Sequence, residues 1–229
     1  MNAVELGVNF FVALFALLDP IGNVPIFAAA TAGGSKAGRR LTAAYIGIFI
    51  IGFMLFFYAS GVALLEFFGI SLPAFRIAGG ILLFMLGLDM TRDDFLKIFA
   101  DAEEAGAATD TRGYARRRFE RLVVPFAMPL LIGPGAISTV IIQAGEAQRL
   151  GAQGTIAGVV AIVLAGLATV LSFWAAGPIS RVLGNIGMVI IVRVLGLILC
   201  AMAIQFIIAG LGEATQGLIT PGVARPYAH

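Results

Sequence analysis

The chain is poor in the residues that metal and redox chemistry need. It has one cysteine, Cys200, inside an apolar run, and one histidine, His229, at its last position. A single cysteine excludes a disulfide framework within the chain and a cysteine metal cluster. No nucleophile–base pair and no metal-ligand set can be assembled from these two residues, which argues against an intramembrane enzyme. Charge is equally scarce. Asp, Glu, Lys and Arg make up 12% of the 229 residues, where a soluble domain carries about a quarter. The net charge is only +2, and no basic stretch is interleaved with aromatics, so nothing suggests a nucleic-acid surface. No Lys or Arg precedes Lys36. The apolar N-terminus therefore lacks the basic region of a cleavable signal peptide and is expected to remain as a span.

What fills the chain instead is apolar sequence, 60% of it, with 29 glycines, a composition typical of packed membrane helices. Six spans are expected, near 6–30, 41–69, 72–91, 122–144, 155–180 and 187–212, each meeting the ~20 residues that a bilayer requires. Gly33-Gly34-Ser35, Gly69 to Pro73, Gly151 to Gly154 and Gly184-Asn185 punctuate them. The one long hydrophilic stretch, 92–121, divides the chain. Its first part suits a short amphipathic helix through Phe95, Ile98 and Phe99, and the remainder reads as a flexible linker. The expected units are residues 1–92, a loop over 93–120, residues 121–213 and a tail over 214–229. Loops 1–2, 3–4 and 5–6 carry eleven Lys and Arg, against two (Arg149 and Arg225) on the other side. This bias puts the long loop in the cytoplasm and both termini outside.

Two interruptions stand out. Asp19-Pro20-Ile21-Gly22-Asn23-Val24-Pro25 lies inside the first span, and Gly133-Pro134-Gly135-Ala136-Ile137-Ser138 inside the fourth. Pro20, Pro25 and Pro134 each remove a backbone donor and bar a helical bond, and Pro20 pushes Asp19 out of the α region. Freed backbone at membrane depth is tolerated only where protein buries it or it lines a watery cavity. Asp19 is about 13 residues into its span, ~20 Å, and Pro134 about 12 residues into its own, ~18 Å. Both breaks should lie near the bilayer centre and face each other.

The breaks belong to a repeat. Arg76-Ile77-Ala78-Gly79 and Arg193-Val194-Leu195-Gly196 are 117 positions apart, and Pro20 and Pro134 are 114 apart. Two halves of three spans follow. Because three is odd, the second half enters the membrane from the opposite side, giving an all-α fold of two inverted three-helix repeats, an architecture of secondary transporters.

A half-helix that starts after a break points unpaired N–H groups and a positive dipole end into the gap. Two such starts, near Asn23 and Gly135, suit a carboxylate without any basic side chain. Gly22, Gly133 and Gly135 allow close approach to backbone. Ser138 and Thr139 supply hydroxyls, and Asn23 donates or accepts. Ionised Asp19 suits an ammonium group, a proton or a sodium ion. Together these complement a small zwitterion, within apolar walls of Val24, Ile26, Phe126 and Ile137. Two plainer readings stand beside this one: kinking for packing, and Asp19 as a cap for freed N–H groups. Arg76 and Arg193 either snorkel to headgroups or tie and gate the bundle through carbonyls of the broken segments. Asp89, Gln143, Gln205 and Glu213, near span ends, read as solvated. Gly79, Gly80, Gly87, Gly158, Gly166, Gly196 and Gly210 read as sites of close helix contact.

The segment Asp19 to Phe27, together with Pro125-Phe126-Ala127-Met128-Pro129-Leu130-Leu131-Ile132-Gly133-Pro134-Gly135-Ala136-Ile137, resembles the MarC family of bacterial and archaeal inner-membrane proteins. The resemblance extends over nearly the whole chain. It implies kinship with the LysE-type amino-acid exporters and with small neutral amino acid transporters that handle glycine and alanine. The expectation is a secondary transporter in the bacterial inner membrane, with no cofactor and with H+ or Na+ as the coupling ion. The alternatives are an ion, metal or other small-solute permease, or an exporter of another metabolite.

Overall fold

The computed structural model describes residues 2–31, 33–92, 110–122 and 131–215. Their regular structure is helical: α1 (Ala3–Leu18), α2 (Val24–Ala30), α3 (Lys36–Phe67), α4 (Leu72–Met90), α5 (Thr111–Leu122), α6 (Pro134–Arg149), α7 (Gly151–Trp174) and α8 (Ala176–Ala214). Helices α3, α4, α7 and the stretch Ile186–Ala214 of α8 are long and apolar enough to cross a membrane, and α1 is a shorter apolar helix. Their outward faces are apolar too. Ile48 (67% exposed), Leu171 (61%) and Leu197 (64%) have no protein neighbour to cover them, a surface that only lipid accommodates.

Local chemistry sets the ends. Asn2 and Glu5 form a reciprocal capping box at the start of α1, each satisfying an orphan N–H of the other. The Ser35 hydroxyl accepts from Gly38 N–H (3.0 Å) and the Ser71 hydroxyl from Ala74 N–H (3.3 Å), with Pro73 in the first turn of α4. Gly69 closes α3 at φ +65°. Gly184, at φ +61° and ψ −179°, interrupts α8, at the punctuation expected there.

Without a hydrophobic force between helices in lipid, close packing must hold them together. On α4 and α8 this takes the form of an antiparallel seam of small residues. A Cβ on Gly80 would lie 2.8 Å from the Ala203 carbonyl, one on Gly87 2.8 Å from that of Gly196, and one on Gly210 2.9 Å from that of Pro73. The contacts recur every seven residues, two helical turns, so they stay on one face. Helices α3 and α7 form a second antiparallel pair. It runs from Trp174, whose Nε1 donates to the Arg40 carbonyl (3.1 Å), to Tyr58, whose hydroxyl donates to the Thr155 carbonyl (3.4 Å). Helices α1 and α2 pack on α7, and α2 also on α8; α6 packs on α1, α3, α4 and α7.

Several boundaries differ from expectation. Helix α6 continues to Arg149, and α7 follows after a single turn at Leu150 and Gly151. Residues 111–120, expected as flexible linker, belong with 121 and 122 to helix α5, which packs against α3. Ala115, Arg118 and Leu122 are buried on one face, Tyr114 abuts Gly34 and Gly38, and Phe119 makes edge contacts with Tyr45 and Phe49. The helical spacing of these residues was masked by the high charge around them. The expected amphipathic helix at Phe95, Ile98 and Phe99, the tail over 216–229, and Phe126 with the rest of 123–130 lie outside the described residues.

Candidate functional site

The first break occupies five residues between Leu18 and Val24. Asp19 still donates its N–H to the Phe15 carbonyl (3.1 Å), but its backbone turns to φ 38°, ψ 60°, which leaves the right-handed region as Pro20 requires. Among the described residues it is the one non-glycine with positive φ. Aspartate tolerates this conformation because its short carboxylate bonds locally: Asp19 Oδ1 accepts from Gly22 N–H (3.1 Å). A Cβ on Gly22 would lie 2.7 Å from Asp19 Cγ, so glycine makes room for that carboxylate. No Lys or Arg among the described residues pairs with Asp19. It is half-buried, and its carboxylate has backbone as partner.

Asn23, 5% exposed, completes the turn. Its N–H donates to the Asp19 carbonyl (3.1 Å), and its Nδ2 donates to the carbonyls of Leu18 and Asp19, 3.0 Å each. The amide hydrogens are thus committed to backbone that the break would leave unpaired. The side-chain carbonyl oxygen is what Asn23 can still offer. Capping is therefore present at both Asp19 and Asn23. Pro25 stands in the first turn of α2, which has only seven residues and no side-chain cap.

The second break is built differently. Gly133 is the N-cap of α6 in extended conformation, Pro134 follows it, and no side chain caps the helix. The N–H groups of Gly135 and Ala136, in the first turn, have no intrahelical acceptor. Ser138 is buried and turns its hydroxyl back to the Gly135 carbonyl (3.0 Å). Thr139 is half-buried. Neighbouring helices hold the start of α6: a Cβ on Gly79 of α4 would fall within the Pro134 ring, and one on Gly135 within the Phe206 ring of α8. The open side of Gly135 is therefore taken by an aromatic ring.

Leu18 and Val24, flanking the first break, share one buried core with Ile132, Ala136 and Ile137 at the second. Helix α1, which ends at the first break, packs along α6, which starts at the second; α2 has its extended packing on α7 and α8 instead.

Gln143 was expected to be solvated. Its Oε1 is buried and has no partner among the described residues. It lies one turn beyond Thr139, and Glu146 lies one turn further, so the three share a face of α6. Glu146 pairs with Arg149 at 3.0 Å. The i, i+4, i+7 spacing of these polar residues is visible in the sequence and would have identified the stripe. Glu213, also expected to be solvated, pairs with Arg76. Arg76 accordingly ties α4 to α8. Arg193 is exposed on α8. Among the described residues no three His, Cys, Asp or Glu side chains converge.

The family profile described as MarC family integral membrane protein matches residues 4–215. The chain is similar to a UPF0056 membrane protein of Aquifex aeolicus (35% identity, covering 90% of this chain and 94% of the relative). It is also similar to UPF0056 membrane protein MJ1677 of Methanocaldococcus jannaschii (37%, 89% and 95%), and to UPF0056 membrane protein YhcE of Escherichia coli (34%, 92% and 94%). No solved structure matches.

Proposed function

The chain belongs to the MarC family of integral membrane proteins, and from that premise we propose that it is a secondary transporter of small neutral amino acids rather than an enzyme. The observation that carries this reading is the pair of unlike breaks. One supplies a carboxylate without a cationic partner among the described residues, at Asp19. The other supplies an uncapped helix start, at Gly135 and Ala136. A small zwitterion has one group for each: its carboxylate for the α6 start, its ammonium for Asp19. If Asp19 holds a coupling H+ or Na+ instead, the same pairing of charges serves coupled transport.

The packing supports two inverted halves, 1–92 and 121–213. Helix α3 lies on α7 and α4 on α8, each against its counterpart in the other half. The contact of α2 with α8 is matched by α6 with α4. Packing of like helices across the two halves suits alternating access by rocking. The excess of Lys and Arg in the loops at one end supports an inner-membrane orientation with both termini outside.

Counterflow tests the substrate class. Proteoliposomes preloaded with unlabelled glycine or alanine should accumulate the labelled amino acid well above protein-free liposomes, and should not accumulate labelled aspartate or lysine. Uptake equal to the protein-free control for both glycine and alanine would contradict the proposal.

A further inference from the structure

A polar cavity lies where α2 and α7 end and α3 and α8 begin. It holds about 230 Å³ and is lined by Lys36, Arg39 and Arg40 on one side and by Phe27, Phe173 and Trp174 on the other. The three cations occupy positions i, i+3 and i+4 of the first turns of α3, so they share one helix face. Lys36 and Arg40 are exposed and Arg39 is half-buried. No carboxylate among the described residues pairs with any of them. Their mutual repulsion is thus uncompensated within the described chain.

The aromatic wall is fixed in place. Phe27 and Phe173 stack with centroids 4.5 Å apart and planes within 4°. Trp174 donates to the Arg40 carbonyl at 3.1 Å, and the Arg40 guanidinium sits 5.7 Å from the indole centroid. Helix α3 has 32 residues, about 48 Å at 1.5 Å per residue, against a hydrocarbon core of about 30 Å. Its first turns therefore reach headgroup level, where tryptophan is enriched.

From this cavity we infer a binding site for a phosphate anion, presented either by an anionic lipid headgroup or as free phosphate. Two guanidinium forks and one ammonium match the several acceptor oxygens of a phosphate. The aromatic wall suits the apolar part of a phosphate ester. Basic pockets between helices at headgroup level take anionic headgroups by this chemistry. The site has a connection to the first break, because its wall residue Phe27 is one turn from Asn23 on α2.

The test uses purified full-length protein in neutral detergent. Thermal unfolding is followed while titrating a short-chain phosphatidylglycerol, the matching phosphatidylcholine, or inorganic phosphate, at constant ionic strength. Phosphatidylglycerol should raise the melting temperature and phosphatidylcholine should not. A matching rise with inorganic phosphate identifies the phosphate alone as the ligand; a rise with phosphatidylglycerol only identifies the lipid. The double variant R39Q/R40Q should bind about tenfold more weakly. If that variant does not fold, K36Q, altered at an exposed first-turn position, should weaken binding about threefold. Absence of any shift with both phosphatidylglycerol and phosphate, or wild-type binding in the folded variant, would overturn the inference.

Discussion

At the first break the side chains of Asp19 and Asn23 meet the backbone groups that the prolines free. At the second, Gly133 has no side chain to cap α6, and the shape is held from outside by Gly79 and Phe206 of neighbouring helices. One break carries its own support in five consecutive residues; the other depends on the assembled bundle. A polar change should therefore disturb the first break more than the second, whereas a change of size on a neighbouring helix should disturb the second. A self-capped turn can also present charge without help from other helices, while the uncapped helix start takes its shape from α4 and α8.

The largest effect on stability should come from adding volume at the second break. Gly135→Val places carbon where the Phe206 ring lies, and is expected to cost about 3 kcal/mol, the upper end for overpacking. Adding Phe206→Leu should recover part of that loss; no recovery would mean that the ring is not what limits the site. Next comes Asn23→Ala, which leaves the buried Leu18 carbonyl without its donor while the Asp19 carbonyl keeps the backbone N–H of residue 23, and should cost about 2 kcal/mol in detergent unfolding. A melting temperature equal to wild type would show that the first break does not rely on its own side chains. The smallest effect is expected for Ser138→Ala, below about 1 kcal/mol, because its hydroxyl only bonds back within its own helix. Its cost should appear instead as weaker glycine binding in a ligand-dependent thermal shift.

Most of this architecture was legible in the sequence because prolines and glycines at membrane depth have few explanations. Pro20, Pro25 and Pro134 mark both breaks, and Gly33-Gly34-Ser35, Gly69 to Pro73 and Gly184-Asn185 punctuate the helices. The glycines at 80, 87, 196 and 210 were recognisable as contact sites, although their pairing into one seam required the fold. What escaped detection depended on neighbours remote in sequence. Nothing near Gly135 indicates that Phe206 fills its open side, and nothing near Arg76 indicates Glu213. Helix α5 was hidden by its arginines, since a buried face carrying Arg118 does not look apolar. The polar stripe through Thr139, Gln143 and Glu146 was present in the spacing of α6, but Thr139 was read alone as a substrate hydroxyl and Gln143 alone as span-end solvation.

The distinction between cap and charge at Asp19 is the centre of the account, and Asp19→Asn separates them. Asparagine keeps an oxygen that can accept from Gly22 N–H and tolerates positive φ, so the turn should survive with a stability change below about 1 kcal/mol. The charge is lost. Gradient-driven glycine uptake by proteoliposomes carrying this variant is the direct measurement. The account predicts uptake at the protein-free background from a normally folded protein; uptake at the wild-type rate would contradict it and leave Asp19 as a cap alone.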